Sequence, residues 1–351
     1  MTAPAGFHLL SVEAVDRLTE DSVAITFHVP PGLAETFAFT PGQHLTLRRV
    51  LDGEDLRRTY SVCASAVTGP LRVAVKRIEG GAISGWLVHE LKAGDQLEVL
   101  APAGRFGPTV PGRARRYGLI AAGSGITPVL SIAWTVLEAE PESEVVLLYG
   151  NRTTGEVMFL EELSDLKDRF PDRFQLLHVL SREEQESELL SGRIDRARLE
   201  RLLSSLVPVD TIDEWYLCGP FGMVTDARDV LVESGADQVH VELFHAEAPP
   251  PRPVRSASEA GHCSVVAVLN GRSSSWSMSK DDKVLDTLLT VRTDAPYACR
   301  GGVCGTCRAR VIEGAVDMEV NYALEPEELD AGVVLTCQAH PSTDELRLEF
   351  L

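Results

Sequence analysis

The stretch Cys299-Arg300-Gly301-Gly302-Val303-Cys304-Gly305-Thr306-Cys307 carries three cysteines a few residues apart, and a fourth, Cys337, closes the strand-like run VVLTC downstream. The spacing Cys299-x4-Cys304-x2-Cys307, with the last cysteine well separated, suits thiolate ligation of a [2Fe-2S] cluster. Thiolates that curl around two iron atoms bring the backbone close to inorganic sulfide, so glycine is wanted where N–H groups turn inward. Gly301, Gly302 and Gly305 meet that need. A four-cysteine zinc site is the competing account, but its ligands normally come as two tight pairs rather than a triplet and a single. Cys299, Cys304, Cys307 and Cys337 are therefore read as cluster ligands, and Cys63 and Cys263 as ordinary buried or half-buried thiols.

Outward from this loop, strand-like SVVAVLN and ELRLEFL and helical VLDTLLTV make residues 262–351 a small domain of mixed strands and helix. The preceding APPPRPVRSASEAG, residues 248–261, is a linker, stiff in its proline part and looser after it. Between Tyr117 and Phe244, strands such as YGLIAAG, VVLLYGN, FQLLHVL and EWYLC alternate with helical runs. That alternation implies a parallel sheet covered on both faces, assigned to residues 113–247. Nearer the N-terminus, SVAITFHV, HLTLRRV and LRVAVKRI are separated by the turn signals PPG, LDGED and EGG. Short strands at such intervals predict an antiparallel barrel or sandwich over residues 5–112.

Composition bounds the function. The 351 residues are 44% hydrophobic and 24% charged, as in an ordinary globular protein. No apolar run approaches the roughly 18 residues of a membrane span, and the first residues lack the pattern of an export signal, so no membrane contact and a cytoplasmic location are expected. A net charge of -19 speaks against nucleic acid, whose phosphates demand lysine and arginine, and suits a basic protein partner. Seven cysteines without an export signal point to metal ligation rather than disulfides.

Two further constellations carry chemistry. Arg58-Thr59-Tyr60-Ser61 joins a guanidinium for diphosphate oxygens, a ring for packing on a flavin and a hydroxyl for a flavin nitrogen. Gly80-Gly81-Ala82-Ile83-Ser84 then opens a helical run whose N-terminus offers N–H groups to a phosphate, with Gly81 and Ser84 as contacts; taken alone, Ser84 is a plain N-cap. Lys76, between the two, adds positive charge or is simply solvated. Further on, Gly123-Ser124-Gly125-Ile126-Thr127-Pro128 turns a strand into a helix, with Pro128 expected at the first helical position. Gly123, Gly125, Thr127 and Pro128 thus form a seat for a dinucleotide diphosphate.

These elements, in this order, resemble the ferredoxin-NADP reductase superfamily over residues 5–247, and the small domain resembles a plant-type ferredoxin. The resemblance implies a six-stranded flavin barrel holding FAD, an α/β nicotinamide-binding domain and an α+β β-grasp ferredoxin domain. By the same resemblance, Cys218 of Cys218-Gly219-Pro220 lies beside the nicotinamide at the hydride-transfer site, and Glu242 and Phe244 border the flavin, with Phe244 covering its ring. Read alone, Cys218 and Phe244 are core residues. Ser181-Arg182 resemble the pair that holds the 2'-phosphate of NADPH, favouring it over NADH. Ser181-Arg182-Glu183-Glu184 also reads as a capping box ahead of an acidic helix.

A nicotinamide gives two electrons at once and a [2Fe-2S] cluster carries one, so a flavin between them makes the chain a converter. Ferredoxin at the C-terminus resembles the reductases of oxygenases. YGNRTTGEVMFLEEL, HVLSREEQESELLSGRID and CRGGVCGTCRARVIEGAVDMEVNYALEPEEL are most similar to the reductase subunits of di-iron phenylacetyl-CoA epoxidases. Reductases of ketosteroid or ring-hydroxylating oxygenases, and a zinc-stapled binding module on a flavoprotein, are the alternatives. From Glu313 to Asp330 the chain is rich in Asp and Glu and contains no Lys or Arg. That run is either a solvated face or a dock for a basic oxygenase surface.

Overall fold

The computed structural model describes residues 6–51, 53–244 and 261–351, so the linker reading falls outside the described residues except for Gly261. The first part is an antiparallel sheet of β1 (Phe7–Thr19), β2 (Ser22–His28), β3 (His44–Leu51), β4 (Glu54–Ser61), β5 (Arg72–Lys76) and β6 (Gln96–Leu100), with α1 (Ala82–His89) after β5. Its order is β4-β3-β6-β1-β2-β5. A bridge between Val62 and Val73, and the Cys63 N–H donating to the Arg72 carbonyl at 2.9 Å, join the end of β4 to β5 and close the six strands into a barrel. Inside, Leu10, Ile25, Leu45, Leu47, Val73 and Val99 are buried. Each such side chain contributes roughly 1.5–3 kcal/mol by leaving water.

The second part is a five-stranded sheet of order β11-β10-β7-β8-β9, parallel throughout. Its elements are β7 (Arg116–Ala122), α2 (Ile126–Ala139), β8 (Glu144–Asn151), α3 (Leu160–Arg169), β9 (Phe174–Leu180), α4 (Arg196–Ser205), β10 (Glu214–Cys218), α5 (Phe221–Glu233) and β11 (Val239–Glu242). The chain starts at the central β7, proceeds through β8 to β9, and returns on the other side of β7 with β10. The strand order therefore reverses between β7 and β10, and a crevice opens there beyond their C-terminal ends. Barrel and parallel sheet form one compact unit, Phe7–Phe244. Side chains of α2 fasten it to the loop after β4: the Ser131 hydroxyl donates to the Ala64 carbonyl at 2.7 Å, and Glu138 accepts from the Ser65 and Thr68 hydroxyls at 2.6 and 2.8 Å.

Two local expectations change. Helix α2 begins at Ile126, which makes Pro128 its third residue rather than its first. The first N–H groups of a helix have no intrahelical acceptor, so the missing proton of Pro128 costs nothing there either. No helix follows Ser181: the next one, α4, is capped by Asp195, whose carboxylate accepts from the Arg198 N–H at 2.9 Å. Arg182 to Glu188 contains no apolar side chain to bury, so helix formation has nothing to pack against. Instead of Glu184 capping its own helix, Glu183 accepts from the Thr154 N–H at 2.8 Å and its hydroxyl at 2.7 Å.

The third part is built from β12 (His262–Leu269), β13 (Arg272–Ser279), α6 (Val284–Val291), β14 (Arg308–Glu313), β15 (Val316–Met318), α7 (Pro326–Asp330), β16 (Val333–Leu335), β17 (Ala339–Pro341) and β18 (Glu345–Phe350). Five strands lie in the order β13-β12-β18-β14-β16, with β12 and β18 parallel. Buried Leu285 and Leu288 belong to the core this sheet shares with α6, the β-grasp arrangement. Strands β15 and β17 pair separately and hold the segment around Cys337. Among the described residues, no helix is long and apolar enough to cross a membrane.

Candidate functional site

Strand β4 delivers Arg58, Thr59, Tyr60 and Ser61 with alternating directions: Arg58 pairs with Leu47 and Tyr60 with Leu45, while Thr59 pairs with Thr46 and Ser61 with His44. Arg58 is exposed, and its guanidinium donates to the Arg57 carbonyl at 2.8 Å. Its neighbour Arg57 is buried instead and pairs with Asp55 at 3.0 Å, a structural use of the adjacent arginine. Burial pushes the Tyr60 phenol up, with the Arg58 charge opposing. Lys76 is engaged with Asp21 at 3.4 Å. Gly81, not Ser84, is the N-cap of α1. The Ser84 hydroxyl, one turn in, accepts from the Ile78 N–H at 3.1 Å and donates to the Gly81 carbonyl at 3.3 Å, which fixes the glycine turn ahead of the helix.

Ser61 ends β4 beside the ends of β10 and β11. Its hydroxyl donates to Glu242 at 3.0 Å, a contact between residues 181 positions apart. Glu242 pairs in register with Cys218. Burial pushes the Glu242 carboxyl up to about 8, against the Ser61 hydroxyl, which lowers it. Burial, and then the Glu242 charge, push the Cys218 thiol well up, so it is held as a neutral thiol. Phe244 follows, half-buried against the core that contains Cys218. A carboxyl whose folded pKa is raised favours the folded state most below its unfolded pKa, and that advantage is lost as pH rises through the folded value. Stability should thus fall between about pH 4.5 and 8 through this residue. Glu242→Gln should flatten that part of the curve and gain stability at the alkaline end; an unchanged profile in chemical denaturation across pH would contradict the buried carboxyl.

At the strand reversal, Gly123 has φ +53°, and its carbonyl accepts from the fully buried Tyr149 phenol at 3.0 Å. Thr127 is buried and donates to the Ser124 carbonyl at 3.0 Å. Gly125 packs directly on the Cys218–Gly219 backbone. A side chain on Gly219 would meet Met223 at 2.7 Å and the Ala122 nitrogen at 3.2 Å, and Pro220 caps α5. The two loops that line the crevice therefore touch backbone to backbone. Ser181 and Arg182 lie at its far side, their N–H groups donating to the carbonyls of Asn151 at 2.9 Å and Arg152 at 2.8 Å. The amino-acid pattern alone does not single out Arg152 or Tyr149: Arg152 is visible only as part of GNR, and Tyr149 reads as an ordinary core aromatic.

In the β-grasp unit, the Cys299 thiol interacts with that of Cys304, and the Cys307 thiol with that of Cys337. The Cys304 partner and the N–H groups of Gly301, Val303 and Cys304 pull the Cys299 thiol down, against the burial that would raise it. Gly301 N lies 3.4 Å from that sulfur. Among the described residues, no three His, Cys, Asp or Glu side chains converge as a single ion requires. Two thiol pairs suit two irons, each held by two thiolates. Gly302 and Gly305 take positive φ, +76° and +64°, whereas Gly301 does not; Arg300 adopts φ +53° in its place. Cys63 and Cys263 are buried, as expected.

Comparison with known proteins agrees with this division. Residues 9–107 match the oxidoreductase FAD-binding domain family, 119–229 the oxidoreductase NAD-binding domain and 268–342 the 2Fe-2S iron-sulfur cluster binding domain. The fold resembles phthalate dioxygenase reductase, with a TM-score of 0.61 and 24% identity over 98% of each chain. These matches define an NAD(P)H-dependent flavin and iron-sulfur oxidoreductase. The chain is 46% identical to a subunit of the 1,2-phenylacetyl-CoA epoxidase of Escherichia coli (strain K12) over 98% of each, and 35% identical to the ferredoxin reductase component of 3-ketosteroid-9-alpha-monooxygenase of Mycobacterium tuberculosis over 99% of this chain and 97% of that one. It belongs to their family, the FAD- and [2Fe-2S]-containing reductase components of oxygenases.

Proposed function

We propose that this reductase draws electrons from NADPH and delivers them to a di-iron phenylacetyl-CoA epoxidase of phenylacetate degradation. The observation that carries the partner is the 46% identity, sustained over 98% of both chains, to the epoxidase subunit, against 35% for the ketosteroid component. Reconstitution with the two oxygenases tests it: substrate-coupled NADPH oxidation with the epoxidase and not with the steroid monooxygenase is expected, and the reverse preference would sink it. The acidic run from Glu313 to Asp330 is the docking face in this reading. Turnover with the oxygenase should fall as salt rises while reduction of a small dye stays level.

In the first unit, which we assign to residues 5–112 and 113–247, the reading gives each residue a task. Arg58, Gly81 and the first turn of α1 hold the flavin phosphates, and Tyr60 and Thr59 line the rest of the flavin. Lys76 lends positive charge at the rim of the flavin site, tempered by its ion pair with Asp21. Gly123, Gly125, Thr127, Pro128, Gly219 and Pro220 shape the seat of the nicotinamide dinucleotide. Ser61 and Glu242 hold a proton between them at the edge where nicotinamide and flavin meet. Cys218 packs against the nicotinamide, and Phe244 shields the flavin from water until the nicotinamide takes its place. A flavin held there would supply the chemistry that takes two electrons at once and releases them one at a time. Cys299, Cys304, Cys307 and Cys337 hold the [2Fe-2S] cluster on 262–351, and residues 248–261 tether that domain. The three cysteines outside the quartet, Cys63, Cys218 and Cys263, form no disulfide, which suits the reducing cytoplasm.

Ser181 and Arg182 hold the NADPH 2'-phosphate in this scheme, with Arg152 beside them. Arg182→Ala should raise the KM for NADPH by roughly tenfold to a hundredfold, the worth of a charge-assisted hydrogen bond, and leave that for NADH largely unchanged. Equal effects on both cofactors would remove the assignment.

A further inference from the structure

The residue after the last cysteine breaks a local rule. Gln338 is 1% exposed, so its amide is taken out of water at a cost that an apolar side chain of the same size would avoid. Its Nε2 donates to the Arg300 carbonyl at 2.8 Å and the Cys337 carbonyl at 2.9 Å, and lies 3.5 Å from the Cys337 sulfur. Three acceptors around one atom fix which end of the amide carries the protons. The other end, Oε1, is buried with no partner among the described residues, a further penalty. What the buried amide offers against those costs is the contacts of its N–H groups.

Those groups span the site. Arg300 adjoins Cys299, which belongs to one thiol pair, and Cys337 belongs to the other. Arg300 holds φ +53°, a conformation unfavourable for a residue with a side chain, and the Gln338 bond pins its carbonyl. Gly302, within the same loop, packs so closely that a side chain on it would lie 3.2 Å from the Gln338 Cγ.

We propose that Gln338 is a positioning residue of the cluster: its amide ties the Cys299 loop to the Cys337 strand and donates to the Cys337 sulfur, raising the reduction potential. The inference rests on the four cysteines being the cluster ligands. A donor to a ligand sulfur stabilises the more negative, reduced cluster, and so makes the cluster easier to reduce.

The test uses the full chain as purified, with its visible absorbance and iron content establishing the cluster before any variant is compared. A wild-type protein without that absorbance would fail the ligand reading, not this inference. Gln338→Met keeps the volume and removes the donor. Its cluster should titrate at a more negative potential, its reduced EPR signal should change in g values, and the flavin potential should stay in place. An unchanged cluster potential overturns the proposal. Where the Met variant takes up no iron, Gln338→Leu is read in the same way. Loss of the cluster from both, with the flavin absorbance intact, also overturns it, because the amide would then be a folding requirement alone.

Discussion

Cys337→Ala is expected to leave reduction of the flavin by NAD(P)H intact and to abolish electron delivery to a one-electron protein acceptor. The two halves of that result come from two separate units. The matched flavin- and nicotinamide-binding domains lie within Phe7–Phe244, whereas all four cysteines of the quartet lie in the other unit, so loss of one thiol should not reach the hydride step. Within its own unit the thiol has no ready substitute: Cys299, Cys304 and Cys307 are the other members of the quartet, and the remaining cysteine, Cys263, is fully buried on β12. Outer-shell changes at metal sites cost roughly tenfold to a hundredfold, and removal of a ligand should exceed that. Stopped-flow absorbance separates the halves, since flavin bleaching should keep its rate while the iron-sulfur envelope is missing. Normal delivery to the acceptor by this variant would mean that electrons leave from the flavin directly.

The cysteine loop is legible because ligand spacing is a local property, and so is the glycine turn that opens α2. The parallel sheet is legible from the alternation of strands and helices along the chain, which places helices on both of its faces. Contacts made by distant segments are not. Nothing in the sequence around Ser61 announces Glu242, because the strand ends that bring them together are set by the order of strands in two sheets. Gln338 reads like any polar residue after a strand. The Ser181–Glu184 pattern misleads for a related reason: a capping motif states where a helix can begin, whereas the apolar face that would hold one is missing from the next residues. Ser84 and Gly301 show the same limit on a smaller scale. Each has the residue type expected of its role, but in the folded chain Gly81 caps the helix and Arg300 takes the left-handed turn.

Gly125→Ala is expected to cost far more than Gly123→Ala, although both glycines belong to one turn and only Gly123 has a backbone angle that side chains avoid. Gly123 has φ +53° and open space around the position a Cβ would take, so alanine there costs about 1–2 kcal/mol for the left-handed conformation and nothing for crowding. Gly125 has φ -60°, comfortable for any residue, yet its Cβ would enter the Cys218 carbonyl and lie 2.8 Å from the Gly219 nitrogen. Those are backbone atoms at the end of a central strand, and they cannot swing aside as a side chain would. The start of α2 must instead move away from Cys218, at the roughly 1–3 kcal/mol typical of overpacking or more. That movement widens the crevice between the two loops proposed to seat the dinucleotide. Gly125→Ala should therefore lower the unfolding midpoint further and raise the KM for NAD(P)H, while Gly123→Ala lowers stability with a smaller effect on KM. Thermal unfolding and steady-state kinetics on the two variants decide it, and equal losses in both would show that the glycines serve only to form the turn.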